Sequence, residues 1–275
     1  MTVANTSPPM PEEASTWQLH IFGSKLVGVV STALLAALGI AIWAIGSNAG
    51  WWNRSVLPEP LAVLQALGSL MSTSDLWTSI GRTVAAILAS FVIGSAIGFL
   101  TGVMFWRKPT LGRILEPYVI TVYAVPIVVF YPVMIVAFGL TIWSLIILAS
   151  IVVSIPVVIN TWIGLEAVPS IYSRLAASLQ CSRRQALFRL ALPAAIPQFF
   201  AGLRISAIFS IVAIVSMEFL LAPDGLGFHV RYEYHAFRNE TMFAYIVIIF
   251  ILAVLFASLV RLAEARVLAE RVAAK

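Results

Sequence analysis

Long uncharged runs alternate with short polar segments along this sequence. A helix needs about 20 apolar residues to cross about 30 Å of hydrocarbon, because its backbone polar groups must be satisfied internally there. The stretch 117–165 is uncharged and too long for one crossing, so a break is expected at 139–144, where Gly139 and Trp143 suit a membrane interface. The pattern predicts an all-α integral membrane protein with six transmembrane helices. They are expected at 26–46, 84–106, 118–138, 142–163, 200–221 and 241–260.

Composition supports a lipid environment for most of the chain. Of its 275 residues, 61% are hydrophobic and 11% are charged, whereas soluble domains carry about 25% charged residues. The net charge of +5 is spread through the loops without a basic, aromatic-rich face, which argues against nucleic-acid binding. Cys181 is the only cysteine, so an intrachain disulfide is excluded.

The basic residues predict the orientation. With the N-terminus inside, thirteen lysines and arginines fall in cytoplasmic segments and four in external segments, and basic residues are retained on the cytoplasmic side. Both termini are therefore expected in the cytoplasm. Residues 1–24 have no basic start before an apolar core and are interpreted as a flexible cytoplasmic tail. Residues 25–265 would form the membrane domain, and 266–275 a cytoplasmic C-terminal tail.

Several residues within the predicted spans suggest packing or a pathway. Gly94, Gly98 and Gly102 recur every fourth residue, which indicates close helix packing. Pro126, Pro132 and Pro156 would bend their helices, either to line a path or to shape the packing. Glu218 is the one acid well inside a span, where ionisable groups face a cavity or a partner. A structural hydrogen bond to the 222–227 loop is an equally good hypothesis for Glu218. The candidates for a pathway are Tyr123, Pro126, Asn160 and Glu218.

The segment 166–199 is the longest predicted cytoplasmic loop. A helix is expected at about 171–190, ending before Pro193 because a proline stops the preceding helix. Its apolar residues recur at helical spacing, with arginines elsewhere around the axis. These apolar residues are Leu175, Leu179, Ala186 and Leu190. Such a helix can lie on the lipid surface or fill a groove on a partner.

The residues of this loop resemble the signature of permease subunits of binding-protein-dependent ABC importers. That signature is Glu-Ala-Ala, three residues, Gly, nine residues, then an aliphatic-x-Leu-Pro ending. Here 179–182, Leu-Gln-Cys-Ser, replaces the usual Leu-Gly-Ala-Ser, and Pro193 follows the glycine position by thirteen residues. The chain departs from the signature at Arg174, Leu175 and Gln180, which replace Glu, Ala and Gly.

The resemblance extends over about 55–265 and is to the nitrate/sulfonate/taurine branch of these permeases. It rests on short motifs that are weak individually but follow the order and spacing found in that branch. They are Leu-Pro-Glu-Pro at 57–60, Pro126, Phe-Gly at 138–139, Asn-Thr at 160–161, Gly164, and 222–227 with its Gly-Leu-Gly ending. The resemblance implies a type I ABC importer permease in the bacterial inner membrane, with a cytoplasmic coupling helix.

The implied mechanism assigns this chain the pathway and the coupling, with no catalysis. Two permease subunits, identical or different, would enclose the pathway for a small solute, with a small anion favoured. An extracytoplasmic binding protein would deliver the solute. Two ATPases, which bind ATP and Mg, would dock on the coupling helices; this sequence itself has no Gly-x-x-x-x-Gly-Lys-Ser/Thr phosphate loop. The expected docking residues are Arg174, Ala176, Ala177, Leu179, Gln180, Cys181, Ser182, Arg183, Arg184 and Leu187.

Two other functions and a metal site are the alternatives. An ATP-independent secondary transporter or channel would need coupling acids within the spans, and Glu218 is the only candidate. An intramembrane enzyme would need a nucleophile or metal constellation at membrane depth, which the scattered serines and threonines do not provide. A metal site among His229, Glu233, His235 and Glu240 is disfavoured by spacing, so contacts to the binding protein are expected there.

Overall fold

The computed structural model describes residues 30–31, 34–53 and 56–273, so the predicted tail 1–24 lies outside the described residues. Those ranges contain helices and connecting turns and no β-strand. The α-helices are α1 (Leu34–Asn48), α2 (Pro60–Leu70), α3 (Ser74–Arg107), α4 (Pro109–Ala124), α5 (Tyr131–Phe138), α6 (Ile142–Glu166), α7 (Ser170–Ser178), α8 (Arg183–Ala186), α9 (Leu192–Leu220), α10 (Leu226–His235) and α11 (Asn239–Ala273). The chain forms two compact units, Met1–Val63 and Leu64–Lys275.

The first unit contains α1 and the start of α2. The indole N–H of Trp43 donates to the Pro58 carbonyl at 3.0 Å, and the rings of Trp51 and Trp52 meet edge to face at 6.1 Å. The predicted span 26–46 begins outside the described residues, so a crossing by this segment stays a prediction.

The second unit carries the long membrane helices. Within the described residues, four helices are long and apolar enough to span a bilayer: α3, α6, α11, and α9 together with the helical turns before it. The pair α4 and α5 adds a fifth candidate, bent by 83°. The all-α membrane architecture is therefore confirmed, while the count of six remains a prediction.

The third predicted span, 118–138, is wrong as a single helix. α4 starts earlier, at Pro109, and ends at Ala124, and a 3₁₀ turn at Ile127–Phe130 leads into α5. Pro126 has no N–H to continue the helix, and Val125 before it is extended, as the residue before a proline tends to be. The break expected at 139–144 is present, because Gly139 ends α5 with a φ of +76° and α6 begins at Ile142.

Helices α3, α6 and α9 form the centre of this unit through close backbone approach. A Cβ added to Gly94 would lie 2.6 Å from the Ser150 carbonyl oxygen, and one on Gly98 would lie 2.5 Å from that of Ser154. Gly102 packs in the same way against Thr161. In lipid, helices associate largely through such packing and through interhelical hydrogen bonds. The glycine row is therefore the face of α3 that contacts α6.

Besides apolar packing, one polar and one aromatic contact attach the last helix, α11, to this centre. Arg204 on α9 pairs with Glu264 on α11 at 3.1 Å. The rings of Phe91 on α3 and Phe256 meet edge to face at 5.3 Å. These contacts join α11 to two different central helices.

Candidate functional site

A tight turn at 179–182 separates α7 from α8 and corrects the expected single helix at 171–190. The N–H of Gln180 donates to the Ala177 carbonyl, and the N–H of Cys181 donates to that of Ala176 at 2.9 Å. This pair of bonds is the Schellman ending of a helix, which requires a left-handed residue. Gln180 supplies it with a φ of 49°. Gln180 therefore occupies the glycine position of the permease signature, and this is the position that needs a positive φ.

The next helix begins with a reciprocal cap. The Gln185 N–H donates to Ser182 Oγ at 3.3 Å, and the Ser182 N–H donates to Gln185 Oε1 at 2.8 Å. This Ser-x-x-Gln capping box satisfies two backbone donors that a helix start leaves open. Two helix ends with their own caps therefore meet within four residues, and the apolar periodicity of 171–190 could not show this.

The predicted end before Pro193 is also wrong. A π-helical turn at Leu187–Ala191 passes directly into α9, and Pro193 lies in the first turn of α9. Proline is tolerated there because first-turn N–H groups have no intrahelical acceptor. Residues from Arg184 to Leu220 run as one helical rod, about 55 Å long at 1.5 Å per residue. Residues 192–199, expected in the loop, belong to α9.

The expected docking residues divide into an exposed and a buried group. Leu179, at the turn, is 63% exposed, whereas Leu187 is buried against Leu165, Ala191 and Ala195. Ala176 is buried and Cys181 is half-buried. The exposed members are Arg174, Ala177, Leu179, Gln180, Ser182 and Arg184, and Arg183 is the first residue of α8. We call residues 170–191 the coupling segment.

At the opposite end of α9, a buried carboxylate holds the connection to α10. Glu218 is 2% exposed and accepts hydrogen bonds from Thr83 Oγ1 at 2.8 Å and from the Gly227 N–H at 3.0 Å. Thr83 Oγ1 in turn accepts from the Leu226 N–H. A Cβ on Gly225, whose φ is +106°, would run into the Glu218 carboxyl group. Glu218 therefore anchors the 222–227 loop.

A second polar cluster lies beside this anchor. Arg82 pairs with Asp224, and Ser79 Oγ lies 2.9 Å from His229 Nε2. The His229 ring stacks on Tyr245 with centroids 4.8 Å apart. Burial lowers the pKa of His229 below its usual 6.5, although the nearby carboxylates, Asp224 first among them, act in the opposite direction. Burial thus disfavours the protonated imidazole in this cluster.

Arg231 and Glu233 complete the structure that follows α9, which we call the cap (residues 222–238). The Arg231 guanidinium donates to the carbonyls of Phe219 and Leu220, the last two residues of α9, and to that of Ala222 just beyond it. Glu233 is buried and pairs with Arg238. Within the described residues, no group of three or more His, Cys, Asp or Glu could hold a metal ion.

The pathway candidates lie at three separate places. Tyr123 and Pro126 line an uncharged cavity at the break between α4 and α5. Asn160 lies between α6 and α9 and accepts a hydrogen bond from Gln198 at 2.9 Å. Glu218 is in the anchor, and it also borders a cleft of about 350 Å³ with Arg82 and Asp224. The structure brings two of the four candidates together.

Comparison with known proteins decides the family. The sequence profile of the family described as "Binding-protein-dependent transport system inner membrane component" matches residues 94–269. The chain belongs to this family. It is a permease subunit of an ABC importer, within the branch that includes sulfonate, taurine and nitrate permeases. Family members are transport subunits and not enzymes, and membership implies an ATPase and a substrate-binding protein as partners.

Three curated relatives show how far the similarity of this permease extends. It is 28% identical to the formylaminopyrimidine transport permease protein of Halalkalibacterium halodurans, over 75% of this chain and 83% of that protein. It is 26% identical to a putative aliphatic sulfonates transport permease protein of Bacillus subtilis, over 90% and 89%. It is 28% identical to the taurine transport system permease protein of Escherichia coli, over 74% and 79%.

The fold of the permease also matches a solved transporter. An inward-facing structure of the MetNI methionine ABC transporter aligns with a TM-score of 0.58 at 20% identity, covering 70% of this chain and 94% of that one. A second crystal form gives a TM-score of 0.59. At this identity the match concerns the fold alone. It supports the type I permease architecture expected from the sequence.

Sequence reasoning missed several residues that complete these sites in the permease. Gln185 could have been found, since Ser-x-x-Gln is a recognisable capping signal. Thr83 and Phe209 carry no local signal, because their partners Glu218 and Tyr123 are remote in sequence. In the sequence Arg231 contributes only to the predicted orientation, whereas in the structure it caps the end of α9.

Proposed function

We propose that this permease forms the translocation pathway for a small solute and couples it to a separate ATPase through the coupling segment. The main support for this proposal is the turn at 179–182, which has a helix cap on each side. The turn continues into α9 through the π-helical turn. Force applied to this turn would reach the cap without crossing a flexible loop. Rigid movement of packed helices is one established way to switch access in proteins.

The exposed side chains of the coupling segment are of the kinds that bind in a groove on a partner protein. Leu175 and Leu179 are exposed together with Arg174 and Arg184. Short amphipathic helices dock through apolar anchors with charged residues at the rim. These side chains contribute little to the packing of the permease itself. They are therefore available for the ATPase.

The assembly we propose places the coupling segment and both termini in the cytoplasm of a bacterial cell, and the cap outside the inner membrane. The excess of basic residues on the coupling side supports this orientation. Two ATPases, which bind ATP and Mg, and a second permease, identical or different, would complete the membrane complex. The binding protein would meet the cap.

The substrate we propose is a small anion such as a sulfonate, nitrate or organic acid. Support comes from relatives named for aliphatic sulfonates, taurine and nitrate, at 25–28% identity. The relative named for formylaminopyrimidine shows that the same architecture serves another type of molecule.

The docking hypothesis is tested by co-purification. Leu179→Asp should abolish co-purification of the partner ATPase with the tagged permease, because it places a charge on an exposed apolar anchor. The double change Ser182→Asp with Arg183→Asp should do the same. Phe237→Asp is the matched control, since Phe237 is 89% exposed in the cap. Undiminished co-purification of the Leu179→Asp permease would refute docking at this turn.

Reconstitution separates this function from an ATP-independent transporter or channel. Uptake of solute by proteoliposomes that contain the permease, the ATPase and the binding protein should require ATP. Leu179→Asp should reduce this uptake to the level without ATP. Uptake at the full rate by the permease alone would favour the alternative.

A further inference from the structure

A cavity lies at the break between α4 and α5, at the depth in the membrane where transporters bind their substrates. It has a volume of about 260 Å³ and is bordered by α4, α6 and α9. Of its α6 residues, Ile151 is about 14 Å from the start of that helix and Ile155 is about 16 Å from its end, at 1.5 Å per residue. The cavity is therefore near the middle of the bilayer, where substrate sites of transporters are commonly built.

The cavity has aromatic walls and no charge. Tyr123 and Phe209 meet edge to face with centroids 5.1 Å apart, and both line the cavity together with Ser216. No Lys, Arg, His, Asp or Glu is among the described residues that line it. An apolar cavity of about 150 Å³ is large enough for benzene. The space thus suits a small ring, and it offers no basic group to neutralise an oxoanion.

The break between α4 and α5 adds backbone carbonyl groups to the site. A helix end leaves its last carbonyls without intrahelical donors, and Pro126 brings no N–H to the break. Irregular backbone at membrane depth is tolerated where it is buried or lines a water-filled cavity. The polar groups of the cavity are therefore backbone carbonyl oxygens and the hydroxyl groups of Tyr123 and Ser216, all of them uncharged. A bare inorganic anion finds no cationic partner among them.

We propose that this cavity is a substrate subsite of the permease that accepts the planar, unsaturated carbon body of an organic solute and leaves its charged group outside. This inference rests on the proposed transport function and narrows it. The substrate class becomes organic anions with a flat apolar part, in preference to nitrate or short alkyl sulfonates. Phe209 and Tyr123 are the residues that select for the flat body.

Protection of a cysteine from labelling tests the subsite directly in the assembled complex. Ser216→Cys is placed in a Cys181→Ser background, and its rate of reaction with a water-soluble maleimide is measured with benzenesulfonate, methanesulfonate or nitrate present. Benzenesulfonate should slow the labelling about fivefold at about four times its dissociation constant. Methanesulfonate and nitrate should leave the rate unchanged. Ser72→Cys, at an exposed position outside the cavity, should react equally fast in all three solutions.

A second variant, in the wall of the cavity, makes the test more specific. Phe209→Ala, added to Ser216→Cys, should remove the protection by benzenesulfonate. Protection by all three anions, protection by none, unreactive cysteine, or protection that survives Phe209→Ala would each overturn the subsite. If Ser216→Cys does not assemble, Val212→Cys on the same wall gives the same measurement. Co-purification of the ATPase with the permease that retains Cys181 reports separately on the proposed function, so the two can fail independently.

Discussion

Thr83 on α3 and Glu218 on α9 are joined by a buried hydrogen bond of 2.8 Å across 135 positions of sequence. The Thr83 hydroxyl group also accepts from the Leu226 N–H, and the Glu218 carboxylate accepts from the Gly227 N–H. One side-chain pair therefore satisfies the first backbone donors of α10. The cap is held in place by groups that cannot be removed singly without leaving a buried partner unsatisfied.

Thr83→Val should destabilise the permease by about 1–3 kcal/mol, the cost of leaving buried polar groups without a partner. The measurement is the thermal unfolding midpoint of the purified protein in detergent. Thr78→Val is the matched control, because the exposed Thr78 hydroxyl group donates only to the Ser74 carbonyl of its own helix. Glu218→Gln combined with Thr83→Val should cost less than the sum of the single changes. Strict additivity would mean that the two residues act independently.

Gly98→Ala should separate α3 from α6, because the added Cβ meets the Ser154 carbonyl oxygen and the Val157 side chain. Overpacking of this kind costs roughly 1–3 kcal/mol. The yield of monodisperse protein and its unfolding midpoint should both fall. Gly81→Ala on the same helix meets nothing within 4 Å and should be neutral or stabilising by about 0.5–1 kcal/mol. Equal effects at the two glycines would contradict close packing at Gly98.

Gln180→Gly should stabilise the coupling segment, because the left-handed conformation costs non-glycine residues about 1–2 kcal/mol. Gln180→Val should have the opposite effect, since a β-branched residue tolerates a positive φ poorly. Amide hydrogen exchange of residues 170–191 measures both: protection should increase with glycine and decrease with valine. Similar exchange in both variants would show that the turn does not depend on this φ.

Acidification should loosen the cap through His229. Its pKa in the folded protein lies below the unfolded value of 6.5, mainly because of burial. The unfolded state therefore takes up protons first, so the stability is fully present above pH 6.5 and is lost as the pH falls through the folded pKa. Melting curves between pH 8 and pH 5 should show this decline. His229→Gln should flatten it, whereas His235→Gln, at an exposed position of the same helix, should leave it unchanged. An unaltered decline in His229→Gln would assign the effect to other groups.

The coupling segment shows where sequence reasoning succeeds and where it stops. The resemblance aligned Leu179 to Ser182 with the Leu-Gly-Ala-Ser of the signature, whose glycine position is the one that the structure shows to be left-handed. It did not reveal the broken helix, since the apolar periodicity of 171–190 is compatible with one continuous helix. Cap bonds at Gln180 and Ser182 decide the break, and these depend on backbone angles.

The break in the third predicted span has a similar explanation. Pro126 was recognised as a bend, but a proline can kink a helix slightly or end it. The 83° turn depends on the packing of the following 3₁₀ turn and α5 against α6. The row of Gly94, Gly98 and Gly102, in contrast, could be read directly, because helical spacing alone places the three on one face.

By itself, the sequence determined the membrane character, the main apolar spans, the glycine face of α3 and the family, because hydropathy, spacing and signature residues are local properties of the chain. Tertiary structure alone decided that Glu218 binds Thr83 and the start of α10, and that Tyr123 meets Phe209 at a cavity. The two members of each pair are far apart in the sequence. Their contact depends on how the helices pack, and no local pattern encodes that packing.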